Sequence, residues 1–322
     1  MRYRPIILCY HRIAETTKTD LNKLAVPPSI FREQLSYLKG ERKFVSLKEM
    51  VSEPKANTVA VTFDDGYKDN LSIAADILSD LNIPASFFLA TRFIEHSVSY
   101  YTSSFNSLWT HYKHFGHIPP SVSGSNIERI LLSRNSYFSA LKKLSSFNPD
   151  RLWEATTLLH SAQNEIGGFD ELEQPLNLND VKSLLSSKIF SIGPHTATHP
   201  RMSAISLNDA ILDFNESIEK TREWSDSNEL YFPYPFGQKT DFSKDLEMEL
   251  RHNFEIKGLS TFPSALNPDR MDRDTYPRLS VQNWEIMEFR RFLNFANFFS
   301  YIPIAGNVAL KTSSIMNNIK HI

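Results

Sequence analysis

Residues 58–66 read Thr58-Val59-Ala60-Val61-Thr62-Phe63-Asp64-Asp65-Gly66. The first six are β-branched or apolar, which predicts a strand, and the Asp-Asp-Gly that follows is turn chemistry that ends it. Tyr67, Leu71, Ala74, Leu78 and Leu81 then recur at helical spacing, so the strand feeds directly into a helix. Ala85 to Leu89 predicts the next strand. Moving back toward the N-terminus, Pro5 to Tyr10 predicts a first strand, followed by a helix from Ser29 with Phe31, Leu35 and Leu38 on one face. A short strand, Lys43 to Val45, runs into Ser46-Leu47-Lys48-Glu49, the pattern of a capping box. Further on come a helix over Asn179 to Ser186, a strand over Ile189 to Gly193, and a helix whose Leu207, Ile211, Phe214 and Ile218 form a stripe. A strand over Leu230 to Phe236, a helix over Phe242 to Phe254, and strands over Glu255 to Thr261 and Tyr276 to Val281 complete seven or eight βα repeats. Alternation of this kind specifies an α/β fold, a parallel sheet wrapped by helices.

Two segments fall outside the repeat. From Arg92 to about Leu176 the pattern weakens into a Ser-, Asn-, Tyr- and His-rich stretch too long for a loop, and it is read as an insertion or lid. Residues 1–285 are accordingly assigned to one barrel containing that insertion, and 286–322 to a C-terminal aromatic segment. Between Phe292 and Leu310 the chain has no charge and is rich in Phe, with Arg290, Arg291 and Lys311 at its borders. Asn residues, Pro303 and Gly306 interrupt it, so packing on the barrel or lying in a membrane interface fits better than spanning.

Composition narrows the function. The 322 residues carry 35 Lys and Arg against 37 Asp and Glu, a net charge of −2, which argues against a nucleic-acid partner. Hydrophobic residues make up 41% and the mean hydropathy is −0.33, enough for a large core and too scattered for a polytopic membrane protein. Cys9 is the sole cysteine, so any metal must be held by His, Asp or Glu. The short apolar run Ile6 to Cys9 is not a secretory h-region, and a cytoplasmic location, at the inner membrane face, is the expectation.

Polar residues collect at the carboxyl ends of the predicted strands: His11, then Asp64 and Asp65, then His195 and His199, then Tyr234, then Arg278. That is the catalytic rim of a βα barrel. Two imidazoles and one carboxylate make a catalytic zinc set that leaves a position for water and substrate. His195-Thr196-Ala197-Thr198-His199, bounded by Pro194 and Pro200, supplies the imidazoles within one turn. One carboxylate of Asp64-Asp65 completes the set, and the other stands where a base is needed.

These residues also carry a resemblance. Thr62-Phe63-Asp64-Asp65-Gly66, Ile83-Pro84-Ala85-Ser86-Phe87-Phe88, His195-Thr196-Ala197-Thr198-His199 and Phe232-Pro233-Tyr234-Pro235-Phe236-Gly237 occur in that order, and together they resemble the polysaccharide deacetylase family, carbohydrate esterase family four. The resemblance covers the chain from the Tyr10-His11 pair to about Val281, leaving the Arg92 to Leu176 stretch unaccounted for. It implies a distorted, incomplete (β/α) barrel of about seven strands that removes acyl groups, usually acetyl, from amino sugars with one divalent ion, Zn2+ by its ligand set. Asp64 matches the general base, and Asp65, His195 and His199 match the metal ligands. Phe236 stands where the family has a Tyr whose backbone N–H helps hold the oxyanion. Pro235 has no N–H, which leaves Phe236 or Gly237 as donor.

Three positions depart from the family pattern. The Arg that often opens the third motif is replaced by Tyr231-Phe232-Pro233, and Arg278 is the substitute expected to orient the base. The C-terminal Leu-x-His that supplies the general acid is missing, since after His199 only His252 and His321 remain; His11 is expected to take that role. Pro194 replaces a Ser, with no evident consequence. The tryptophans Trp109, Trp153, Trp224 and Trp284 are candidates for a sugar-lining surface or for core.

The function expected is a metal-dependent hydrolase taking an N-acyl group from an amino sugar or oligosaccharide, a lipid-linked precursor of surface polysaccharide, with peripheral membrane contact. A deformylase or other C–N hydrolase of the same family, a catalytically silent sugar-binding module, and a structural barrel are the competing readings.

Overall fold

The strand over residues 58–63 is present as expected and sits at the centre of the molecule. The computed structural model describes residues 3–299 apart from 18–19, 134, 169, 226–230 and 268–274. Its strands are β1 (Ile6–Tyr10), β2 (Arg12–Ile13), β3 (Ala25–Val26), β4 (Lys43–Phe44), β5 (Thr58–Phe63), β6 (Ala85–Leu89), β7 (Phe190–Pro194), β8 (Tyr231–Pro233), β9 (Lys257–Ser260), β10 (Thr275–Pro277) and β11 (Leu279–Ser280). One parallel sheet runs in the order β11-β1-β5-β6-β7, with β4 on β5, and a second runs β10-β9-β8. Only Arg278 separates β10 from β11, so the chain steps from one sheet to the other at that residue.

The result is an α/β fold whose parallel strands follow an arc from β7 round to β8. Among the described residues no strand pairing joins β7 to β8. The two edges nevertheless lie close: a Cβ added at Gly193 of β7 would stand 3.5 Å from the Tyr231 carbonyl and 2.8 Å from the Phe88 ring, which leaves room only for hydrogen.

Every residue of β1 and β5 is buried. Register places Tyr10, Phe63 and Phe87 side by side on β1, β5 and β6, and their rings stack at 5.7 and 5.0 Å. This aromatic ladder rigidifies the strand ends that carry His11 and Asp64.

The helices are α1 (Pro28–Glu41), α2 (Leu47–Ser52), α3 (Asp76–Asp80), α4 (Thr91–His96), α5 (Tyr101–Phe115), α6 (Asn126–Leu132), α7 (Tyr137–Leu144), α8 (Pro149–Glu165), α9 (Leu178–Leu185), α10 (Leu207–Trp224), α11 (Lys244–Phe254) and α12 (Ile286–Phe299). The capping box at Ser46 is half formed. Ser46 accepts from the Glu49 N–H, while the Glu49 carboxylate takes Lys43 instead. The helix expected after Gly66 opens as a π-helix, Asn70–Ala75, before α3, with Asn70 tied by its amide to the His11 carbonyl at 2.8 Å.

The 92–176 stretch is far more ordered than its sequence suggests. Its helices enclose a core of their own, with Phe93, Tyr101, Phe105, Leu131, Leu152 and Leu159 buried. Buried polar residues hide the stripe: Ser104 and Gln163 bond each other at 2.6 Å, and Thr156 donates to the Leu152 carbonyl. Likewise α10 turns Ala210, Phe214 and Ile218 inward, whereas Leu207 is exposed.

In the C-terminal segment Phe289, Phe292, Leu293 and Ala296 of α12 are buried in the same core as β1 and β5. Residues 300–310 of the Phe-rich run lie outside the described residues. Among the described residues no helix is long and apolar enough to cross a membrane.

Candidate active site

β7 delivers the His195 to His199 turn to the strand ends, and that turn is built to a fixed shape. Thr196 and His199 have φ of +65° and +59°, uncommon for side-chain-bearing residues. The conformation holds because Thr196 Oγ1 accepts the His199 N–H at 2.9 Å. Asp213 of α10 accepts from the Ala197 and Thr198 N–H groups at 3.2 Å and from Thr198 Oγ1 at 2.7 Å. Tyr101 Oη of the insertion donates to the His199 carbonyl at 2.9 Å, so the insertion braces the site.

Asp65, at φ +73°, points its Oδ1 at both imidazoles: 3.4 Å to His195 Nε2 and 3.3 Å to His199 Nε2. Oδ1 is buried and has no hydrogen-bond partner. A buried carboxylate oxygen left bare costs free energy unless something occupies the space it faces. Tetrahedral ligands about 2.0–2.1 Å from one zinc ion would stand about 3.3 Å apart, which is the spacing found from Asp65 to each imidazole, and all three ligand atoms lie within 4.8 Å of one another. His195 Nδ1 lies 2.8 Å from the Pro233 carbonyl. Because a carbonyl only accepts, Nδ1 carries the proton and Nε2 keeps its lone pair for the centre. The residues present therefore fit a divalent cation.

Asp64 faces a different environment. Arg278 donates Nη1 to Asp64 Oδ1 at 2.7 Å and Nη2 to Oδ2 at 2.6 Å, with both side chains buried. Burial alone would raise the Asp64 pKa, but the Arg278 and His195 charges outweigh it and hold the carboxyl down to about 2. Cys9 Sγ sits 3.4 Å from Asp64 Oδ2 and donates weakly to it; burial pushes that thiol well up. A ring nitrogen of His11, Cys9 Sγ and an Asp64 oxygen lie within 4.8 Å of one another. His11 is half-buried, and desolvation lowers its pKa against the pull of Asp65 and Asp64.

Phe236 completes the rim. Its φ is +63°, its ring lies 5.2 Å from the His199 ring, and the Arg201 guanidinium sits 4.2 Å from its ring centre. Thr261 Oγ1 donates to the Phe236 carbonyl at 3.1 Å. Gly237 follows at φ +71°, where a Cβ would collide with Thr261 Cγ2 at 2.6 Å.

His11, Asp64, Asp65, His195, His199, Phe236 and Arg278 thus gather in one place from five strand ends. Tyr234 does not join them; its ring stacks on Phe242 at 3.8 Å in a core cluster with Phe232, because the strand turns it inward. The tryptophans are structural as well: Trp109 and Trp284 are buried, Trp153 packs on Phe93, and Trp224 packs on the barrel core. Sequence reasoning missed Cys9, Asp213 and Tyr101. For Asp213 a signal existed, since an acid one residue before Phe214 falls on the buried stripe of α10.

Comparison with known proteins supports the resemblance read from the motifs: residues 52–121 match the family model described as polysaccharide deacetylase. IcaB from Ammonifex degensii is 16% identical and superimposes with a TM-score of 0.58 over 92% of this chain and 97% of that one. A de-N-acetylase from Aggregatibacter actinomycetemcomitans is 13% identical, with a TM-score of 0.57 over 90% and 99%. A polysaccharide deacetylase from Bacillus cereus is 17% identical, with a TM-score of 0.56 over 91% and 69%. At such identities the likeness speaks for the fold. No curated protein matches the chain by sequence.

Proposed function

We propose, from the polysaccharide deacetylase match and the separation of its two adjacent carboxylates, that the chain is a metal-dependent hydrolase removing an N-acyl group, acetyl, from an amino sugar. The observation that carries this reading is that Asp65 faces both imidazoles while Asp64, one residue away, is held by Arg278. Neighbouring carboxylates in such different surroundings suit a ligand and a base.

Asp65, His195 and His199 would hold the ion, and two imidazoles with one carboxylate favour Zn2+. When bound there, it supplies a Lewis acid and lowers the pKa of coordinated water. Asp64, kept ionised by Arg278, takes the proton of the attacking water. The backbone N–H of Phe236 stabilises the oxyanion, on a turn that Thr261 and Gly237 fix in place. His11, on the Asp64 side, protonates the departing amine. The substrate we assign is an N-acylated amino sugar or oligosaccharide, a lipid-linked precursor of surface polysaccharide. The apolar residues beyond 299 would give peripheral contact with the membrane that carries it.

The test is acetate release from N-acetylglucosamine oligosaccharides by zinc-loaded protein, with formate assayed in parallel. Asp64→Asn is expected to keep the metal and lose on the order of 10²-fold or more in turnover. Full metal occupancy with no acyl release from any N-acylated sugar would overturn the reading.

A further inference from the structure

Between residues 129 and 151 the chain carries five Lys and Arg against a single acid, Asp150. Folding of α6, α7 and α8 brings four of those cations to one groove. Arg129, Lys142, Lys143 and Arg151 line a depression of about 610 Å³ whose apolar part includes Ile130 and Phe147. Among the described residues none of the four is paired with a carboxylate. Glu154 enters only where the groove extends past Arg151.

Helix stability accounts for part of this charge. Lys142 and Lys143 lie in the last turn of α7 and Arg129 in that of α6, where cations complement the helix dipole. Arg151 does not fit that explanation. It stands in the first turn of α8, at the positive end of the dipole, and its guanidinium is held 4.7 Å over the Phe147 ring. Four cations from three helices, none of them in an ion pair among the described residues, make a concave surface whose field attracts a multiply charged anion, and the two guanidinium forks match phosphate oxygens.

The groove is also linked through the backbone to the site already described. The Arg201 N–H, two residues beyond His199, donates to the Ser145 carbonyl at 2.7 Å, and Ser146 and Phe147, next in the chain, line the groove. The Arg201 side chain covers Phe236. The segment that lines the groove is thus tied by its backbone to the turn that carries His199.

We propose that this groove is a phosphate-binding subsite, taking a phosphate or diphosphate group carried by the glycan substrate. It rests on the deacetylase reading for the identity of the rest of that substrate, but not for the binding of phosphate itself.

The test has a binding arm and a kinetic arm, both on the full zinc-loaded chain. Inorganic pyrophosphate is titrated calorimetrically into wild type and into the Lys142→Gln/Arg151→Gln variant, whose metal content and Tm verify its folding. Binding at one per chain that weakens about tenfold or more in the variant, and that falls with added salt, is expected. In the kinetic arm, N-acetylglucosamine 1-phosphate should have a KM about tenfold below that of the neutral methyl glycoside, and this preference should collapse in the variant. Pyrophosphate binding that survives in the variant and vanishes on metal removal belongs to the metal centre and overturns the proposal. So does capture by phosphatidylglycerol vesicles that depends on Lys142 and Arg151 but that pyrophosphate does not compete. If neither sugar is hydrolysed but groove-dependent pyrophosphate binding is seen, the subsite stands, and the deacetylase reading is decided separately by the oligosaccharide assay.

Discussion

Arg278 and Asp64 stand 214 residues apart and meet in a two-pronged ion pair, with N–O distances of 2.7 and 2.6 Å and both side chains buried. Register and reach explain the meeting: Leu279 of β11 pairs with Leu8 of β1 and Leu8 with Val61 of β5, so Arg278 starts level with Ala60 and its long side chain runs past Thr62, donating Nη1 to Thr62 Oγ1 at 3.1 Å, to reach the carboxylate at the strand end. The Arg278 N–H, bonded to the Ser260 carbonyl at 2.8 Å, anchors the guanidinium from behind.

Removing that cation should expose what it does. Arg278→Ala leaves a buried carboxylate without a counter-charge, a loss of about 3–5 kcal/mol in stability at neutral pH. The Asp64 pKa, held to about 2, should rise, so the acidic limb of the rate profile moves to higher pH. The sign for stability follows: a depressed carboxyl stabilises the fold above its ordinary value and loses that contribution as pH falls toward 2. Urea titrations at pH 7 and pH 3 should therefore differ less in Arg278→Ala than in wild type. An unmoved acidic limb would show that Arg278 does not set the charge of Asp64.

The ligand set makes a separate prediction. His195→Ala, His199→Ala or Asp65→Ala should each reduce bound divalent metal from one per chain to a small fraction, measured by elemental analysis after dialysis. Retention near one per chain in any of the three would remove that residue from the centre.

For His11 the leaving group discriminates. If it protonates the amine, His11→Ala should abolish the alkaline limb of the rate profile for the N-acetyl substrate yet spare hydrolysis of an activated aryl ester, whose leaving group needs no proton. Equal losses on both substrates would assign His11 a structural part beside Cys9 and Asp64.

Asp213 predicts a pH effect of opposite sign to that of Asp64. Burial pushes its carboxyl up to about 6 despite three donors from Ala197 and Thr198. The folded state then binds more protons than the unfolded one between pH 4 and 6, so stability falls as pH rises through that window. Asp213→Asn should flatten this slope in denaturation measured at pH 4, 5 and 6, and should weaken metal binding by loosening the His195 to His199 turn. An unchanged slope would place the titration elsewhere.

Much of this molecule was determined by local sequence. Thr58–Phe63 and Ala85–Leu89 are strands at the residues their β-branched and aromatic runs predict, and the four motifs supply Asp64, Asp65, His195 and His199, because strand periodicity and turn chemistry act over a few residues. Other features were decided by tertiary structure. Which acid of the pair faces the imidazoles and which is gripped by Arg278 depends on strands that meet only after the sheet assembles. The insertion looked featureless because buried Ser104, Gln163 and Thr156 break its apolar stripe, and their partners come from other turns and another helix. Arg129, Lys142, Lys143 and Arg151 share a groove for the same reason. Short-range patterns set what each segment becomes, whereas the convergence of charges from distant segments depends on packing, which no local window contains.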